Sequence, residues 1–184
     1  ANKYFIVQNI FWVIWGSFYV GLMIYFCSRF IPKILKNIED LTYCIFDLET
    51  TGFFSEYNEI IEIGYVIWKK GVILKEKNYL VCPEKEIAPE ILRSWYTTID
   101  PKKLKKEKKI KQILPEIRQD WKGCVLVAHN ARNFDFTFVN KVWKEKFGED
   151  LPYPVIDTLP LTWIMLPERK SYSLEKLSRS SGKG

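Results

Sequence analysis

The stretch Phe46-Asp47-Leu48-Glu49-Thr50-Thr51-Gly52 (FDLETTG) decides how the chain is read. It closes an apolar run, TYCIFDLE, with the length and composition of a β-strand. In a strand, residues i and i+2 point the same way, so Asp47 and Glu49 share one face at the strand's C-terminal end. Two carboxylates placed so repel each other unless a cation sits between them, and hard oxygen ligands suit Mg²⁺ or Mn²⁺. Gly52 lets the chain turn sharply and bring backbone N–H groups towards a ligand. Taken alone, Asp-x-Glu at a strand end is equally two exposed acids at a strand terminus.

Working outward, EIIEIGYVIWKKGVILKEKNYLV reads as two strands joined through Lys69, Lys70 and Gly71 as a hairpin turn. Three strands in succession predict an antiparallel start to a sheet. Helical spacing follows around Ile91, Leu92 and Trp95, and again around Ile110, Ile113, Leu114 and Ile117. CVLVAH is a short buried strand. FDFTFVNKVWKEKFG places Phe134, Phe138, Val142 and Trp143 on one helical face, with Gly148 closing the helix. PVIDTL reads as a further short strand turning into a helix capped by Asp157. The predicted order is β-β-β-α-β-α-β-α, an α/β domain over residues 41–184.

The second acidic position lies in LVAHNARNFDF, where Asp135 opens a helix just after a strand. A lone Asp there is a cap. Together with a strand ending in Asp-x-Glu, it makes a layout in which Asp47, Glu49 and Asp135 can converge over a sheet edge.

With these residues in hand, FDLETTG, EIIEIG, VAHNARNFDF and VIDTLPL, in that order, resemble the DEDDh 3′-to-5′ exonucleases, a family that includes polymerase proofreading subunits, ribonuclease T and the three-prime repair exonucleases. The likeness covers about residues 42–180. It implies an RNase H-like mixed β-sheet flanked by helices, and two Mg²⁺ or Mn²⁺ ions held by four acids, of which Asp47, Glu49 and Asp135 match the first three. It implies a substrate of single-stranded DNA or RNA 3′ ends. The backbone around Leu48 and Thr50 would hold the terminal nucleotide, and Asn130 and Phe134 would line its pocket. Glu62 in EIIEIG lies on the second strand and is read as structural, a buttress to the site.

The chain departs from the family pattern in three places. HNARNFD is one residue longer than HNAxFD, and Thr98 stands where a glycine is expected. The family's third motif, HxAxxD, supplies the general-base histidine and the fourth acid, whereas no histidine follows His129 in this sequence. His129 belongs to the second motif and is expected to pack or to hydrogen-bond. The expectation is therefore an exonuclease domain cut before its last motif, inactive or very slow by itself. The alternative class is a catalytically inactive nucleic-acid-binding module of the same fold. A weaker third reading is a hydrolase of some other phosphodiester.

From Tyr4 to Ser28 there is no charged residue, and Arg29, Lys33 and Lys36 follow. Residues 1–28 are read as an N-terminal hydrophobic helix, with 4–28 as a membrane anchor and 29–40 as a juxtamembrane linker. The basic residues would keep the following domain in the cytoplasm. The competing reading is a buried or interfacial helix packed on the domain, since Gln8 and Asn9 interrupt the apolar run.

The chain carries a formal charge of +6. The run from Lys102 to Ile113 (KKLKKEKKIKQI) holds seven lysines and one glutamate, which accounts for all of it. Such a run is either a solvated helix face or a surface for phosphate backbones or anionic lipid. The four cysteines, Cys27, Cys44, Cys82 and Cys124, form no Cys-x-x-Cys pair, so they signal neither a zinc site nor a disulfide framework. Buried thiols in a reducing compartment are expected.

Overall fold

A computed structural model describes residues 37–87, 99–174, 176 and 177. The helical spacing around Ile91, Leu92 and Trp95, the glycine position at Thr98, and the hydrophobic helix and anchor at residues 1–28 lie outside the described residues. Among the described residues no helix is long and apolar enough to cross a membrane. The chain divides into two compact units, Ala1–Leu41 and Thr42–Gly184. Of the first, residues 37–40 form a helical turn, closed by the Leu41 amide donating to the Ile38 carbonyl.

The second unit holds a five-stranded sheet flanked by helices. Its strands are β1 (Thr42–Thr50), β2 (Ile60–Lys69), β3 (Val72–Leu80), β4 (Cys124–Ala128) and β5 (Val155–Asp157), in the spatial order β3-β2-β1-β4-β5. β1 and β2 pair antiparallel, as do β2 and β3, while β4 and β5 join β1 in parallel, so the sheet is mixed. The expected hairpin is present. Lys70 and Gly71 both have positive φ, 49° and 83°, the primed geometry whose twist suits a two-residue connection.

Four helices accompany the strands: α1 (Pro101–Leu104), α2 (Ile110–Trp121), α3 (Asp135–Phe147) and α4 (Thr158–Met165). In α2 the buried residues are Ile113, Leu114, Ile117 and Trp121, the i, i+3, i+4 pattern of a helix with one inward stripe. In α3, Phe138, Val139 and Trp143 are buried, Phe134 is the residue before the first turn, and Gly148 ends the helix in left-handed conformation at φ 74°. Pleating sends Cys44, Phe46 and Leu48 of β1 inward. There Trp121 meets Phe46 at 5.2 Å between ring centroids, meets Tyr65 edge-on, and stacks on Trp143. These aromatic contacts fasten both long helices to one face of the sheet.

Pleating sends Ile45, Asp47 and Glu49 to the other face. Cys44 and Cys124 are buried as expected, while Cys82 is half-buried. The lysine run departs from the expectation of a single helix face. It passes from α1 through an irregular turn into the start of α2, with Leu104 buried beneath it.

Candidate active site

Asp47 and Glu49 stand near the end of β1, two residues apart on the less covered face, as the sequence pattern requires. Strand pairing adds a third acid. Glu49 lies directly opposite Glu62 of β2, and Asp47 opposite Gly64. Glu62 accepts a hydrogen bond from Asn78 Nδ2 at 2.6 Å. Burial raises the carboxyl pKa of both Asp47 and Glu49, and the charge of Glu62 adds a smaller upward push.

Asp135 reaches the site from the first residue of α3, on the chain that leaves β4, the parallel neighbour of β1. It is 2% exposed, and its Oδ1 is buried without a hydrogen-bond partner. Burial first, and then the charge of Asp47, push its carboxyl up to about 7, against the backbone amides of Asp135 itself and Leu48, which favour the charged form. Asp47 and Glu49 are raised too, in each case first by burial; a like charge adds to this, Glu62 for Asp47 and Asp47 for Glu49, while the Leu48 amide works the other way on Asp47. Asp47 keeps an exposed surface, so solvent tempers its share of the effect.

These carboxylates therefore oppose one another's ionisation. A cation is the ordinary remedy for such a cluster. The orphaned Asp135 oxygen and an all-carboxylate donor set fit a hard divalent ion. Among the described residues, however, no three His, Cys, Asp or Glu side chains stand in a geometry that could hold a metal ion as it is.

The predicted nucleotide-contacting residues lie on the segments that carry these acids, Leu48 and Thr50 on β1, Asn130 and Phe134 in the turn before Asp135. Leu48 has a buried side chain, which leaves only its backbone for binding. Thr50 Oγ1 donates to the Gly52 carbonyl at 2.6 Å, so this hydroxyl shapes the turn. Asn130 adopts φ 60°, and its carbonyl accepts from the amides of Asn133 and Phe134. The longer HNARNFD spacing is thus taken up in a turn. Phe134 is half-buried, with its ring 5.1 Å from that of Phe138 at the edge of the core.

His129 has both ring nitrogens engaged. Nε2 lies 2.7 Å from the Tyr172 carbonyl, which can only accept, so this nitrogen carries the proton. Nδ1 then accepts from Thr158 Oγ1 at 3.0 Å. The ring binds β4 to α4 and the segment beyond it, in keeping with a structural histidine.

Asp157 caps α4, accepting from the Leu159 amide at 3.0 Å. It also accepts from the Arg132 amide at 3.1 Å. Burial works to raise its pKa, but the amides of Arg132, Leu159, Asn130 and Ala131 outweigh that and leave it lowered. Asp157 thus serves as an anchor for the turn before Asp135 as well as a helix cap.

Two positioning residues carry no signal in the sequence. Lys141, on α3, donates from Nζ to the carbonyl of Ser55 at 2.5 Å and so tethers the loop that follows FDLETTG. Asn58 donates to the Phe54 carbonyl at 3.0 Å and lies against Gly52, where an added Cβ would come within 2.5 Å of its Oδ1. Both are contacts between segments distant in sequence or across a loop, which no local pattern announces.

An exonuclease family model described as RNase T matches residues 44–184. The chain belongs to the DEDDh exonuclease family. It is 35% identical over 170 residues to a PolC-type DNA polymerase III of Thermotoga petrophila, covering 89% of this chain and 12% of the relative. It is 34% identical over 141 residues to the 3′-5′ exonuclease DinG of Staphylococcus aureus, covering 77% of this chain and 15% of the relative. The chain therefore spans only a small part of the curated relatives it matches. In fold it resembles Escherichia coli exonuclease I in a metal-free complex with single-stranded DNA, with TM-score 0.68, 16% identity, and 79% of this chain and 36% of that chain covered. Exonuclease I of Methylocaldum szegediense gives TM-score 0.64 at 16% identity, over 78% of this chain and 36% of that one. At such identities the likeness establishes the RNase H-like fold of an exonuclease.

Proposed function

We propose that this domain hydrolyses the terminal phosphodiester bond at the 3′ end of single-stranded DNA or RNA, using two Mg²⁺ or Mn²⁺ ions. Asp47, Glu49 and Asp135 are the residues that would hold them. The observation that carries the reading is the buried, unpartnered Oδ1 of Asp135, on a carboxyl that Asp47 helps to keep from ionising. Such an oxygen is costly unless a ligand completes it. Bound divalent ions would supply charge neutralisation at the phosphoryl group and a water acidic enough to attack.

The chain's own residues bind and orient. The backbone around Leu48 and Thr50 holds the terminal nucleotide, with Asn130 and Phe134 along its pocket. The amides of Leu48 and Asp135 draw Asp135 towards the ionised form in which it can serve as a ligand. Asp157 fixes the Asn130–Arg132 turn through its carboxylate. Single-stranded nucleic acid as substrate is supported by the structural kinship to an exonuclease I solved with single-stranded DNA.

General-base help is commonly worth about 10² to 10⁴-fold in rate. Both nitrogens of His129 are spent on Thr158 and Tyr172, so His129 is not free for that role. The second reading is an inactive module of the same fold that binds nucleic acid without cutting it. Association with a membrane through residues 4–28 rests on their composition alone.

Oligonucleotides of DNA and RNA labelled at the 3′ or the 5′ end, incubated with the protein of the full reading frame in Mg²⁺ or EDTA, test the reading. Metal-dependent shortening from the 3′ end only is expected, and Asp47→Ala should abolish it. Tight binding with no shortening under any metal would favour the inactive module.

A further inference from the structure

The lysine run holds the chain's whole net charge, and the acid site makes no use of it. Lys102, Lys103, Lys105, Lys106, Lys108 and Lys109 are all exposed. Lys109 pairs with Glu84, and Lys111 with Glu145 at 2.8 Å. Among the described residues the other five, Lys102, Lys103, Lys105, Lys106 and Lys108, have no carboxylate at ion-pair distance. Unpaired like charges so close together repel. They are held in place by the buried Leu104, by Asp100 accepting from the Lys102 amide, and by the Cys82 amide donating to the Lys108 carbonyl at 3.0 Å.

Strand register locates the run relative to the acids. β1 and β3 are both antiparallel to β2, so both finish on the same edge of the sheet. Glu49 is opposite Glu62, and Glu62 is opposite Leu80 at the end of β3. Two strand spacings, about 10 Å, separate Glu49 from Leu80. Cys82, bonded to Lys108, follows two residues later. The unpaired lysines therefore stand along the same edge as the acids, beyond β3.

A groove lies between the loop after β1 and the two long helices, lined by neither the acids nor the five lysines. It is lined in part by Tyr57 of the loop after β1, by Lys85, and by Lys111 and Lys141 of the two long helices. Its carboxylates are already engaged. Glu59 accepts from the amides of Glu84 and Lys85, Glu84 pairs with Lys109, and Glu145 with Lys111.

We propose that Lys102, Lys103, Lys105, Lys106 and Lys108 form a phosphate-backbone site for the 5′-ward part of a single strand whose 3′ end lies at Asp47, Glu49 and Asp135. The inference rests on the exonuclease reading. Anionic lipid could satisfy the same charges, but the placement of the run on the acids' own sheet edge favours a strand that spans both.

Fluorescence anisotropy in EDTA, where metal-dependent hydrolysis is stopped, tests the site. The parent chain is compared with a variant carrying Lys102→Gln, Lys103→Gln, Lys105→Gln and Lys106→Gln, all at exposed positions. The probes are labelled oligodeoxythymidylates of about two and about twenty nucleotides. Each phosphate neutralised on a single strand contributes about 0.7 to the slope of log affinity against log salt, so the variant's slope on the long strand should be smaller by about 3. Its affinity for that strand should fall at least about tenfold, while the short strand, unable to reach from the acids to the run, should bind both proteins alike. Equal slopes and affinities on the long strand would overturn the site, as would an equal loss on the short one. Phosphatidylserine vesicles that capture the parent, with the long strand unable to compete, would assign the run to a membrane instead. The nuclease reading is scored separately. Lysine-dependent binding by a full-reading-frame protein that never shortens a 3′ end in Mg²⁺ would overturn that reading and the placing of the strand's end, whereas 3′ shortening without lysine dependence would remove only the lysine site.

Discussion

Glu49 and Glu62 face each other across the β1–β2 ladder, two carboxylates in direct register at the end of the strand that bears the site. Like charges opposed in this way destabilise a sheet, by roughly 0.2–1 kcal/mol. Glu62→Gln should therefore raise the melting temperature of the metal-free protein. It should leave more activity than Glu49→Gln, because Glu62 acts on the cluster through its charge and Glu49 is a proposed ligand. Thermal melting in EDTA and 3′-shortening rates in Mg²⁺ check the two halves. A Glu62→Gln protein as inactive as Glu49→Gln would make Glu62 a ligand.

Asp135 gives the protein a pH dependence of definite sign. Its folded-state pKa, about 7, lies above the ordinary carboxylate value, so between roughly pH 4 and pH 7 the folded form holds the proton that the unfolded chain has lost. Stability without metal therefore falls as pH rises through that window, by an amount on the order of 4 kcal/mol. Asp135→Asn removes the effect. It should stabilise the metal-free protein at pH 8 and change little at pH 4, and paired melting curves at the two pH values would show it. Equal shifts at both would mean that Asp135 is not held neutral by its surroundings.

Lys141 connects α3 to the loop that follows the first motif. A hydrogen bond from a charged donor contributes about 1.5–3 kcal/mol. Lys141→Met keeps the apolar stem and loses the tether to the Ser55 carbonyl. Faster amide hydrogen exchange across residues 53–58 and a raised KM for oligonucleotides are expected. Unchanged exchange in that loop would show that Asn58 and Thr51 hold it without Lys141.

Gly52 and Asn58 should behave as a coupled pair. Gly52→Ala forces a Cβ onto Asn58 Oδ1, and Asn58 cannot simply swing aside because its amide is bonded to the Phe54 carbonyl. A cost of about 1–3 kcal/mol is expected, as for other overpacked sites. In Gly52→Ala/Asn58→Ala the clash is absent, so the double variant should be more stable than the sum of the single effects predicts. Additive denaturation midpoints would show the contact to be soft.

The parts of this fold that were legible in the sequence are those with a local cause. Alternation in TYCIFDLET put Asp47 and Glu49 on one face, Lys70-Gly71 announced the hairpin, Gly148 closed α3, and Asp157 capped α4. Glu62 was readable as a structural strand residue buttressing the site but not as a member of the acid cluster, because that place depends on register, which the sequence leaves open until strands pair. Lys141 and the turn-holding role of Asp157 escaped for the same reason, each depending on a contact more than 20 residues away. The lysine run was legible as charge but not as a location. What ties it to the end of β3, on the acids' edge of the sheet, includes a backbone hydrogen bond from Cys82 to Lys108.

The central claim is that Asp47, Glu49 and Asp135 together bind divalent ions. Anomalous diffraction from crystals of the chain soaked in Mn²⁺ tests it most directly. The account predicts manganese between Asp47 and Glu49, with Asp135 Oδ1 drawn into the coordination sphere directly or through water. Manganese bound only elsewhere, or Asp135 Oδ1 still buried and unpartnered while metal occupies the site, would contradict it.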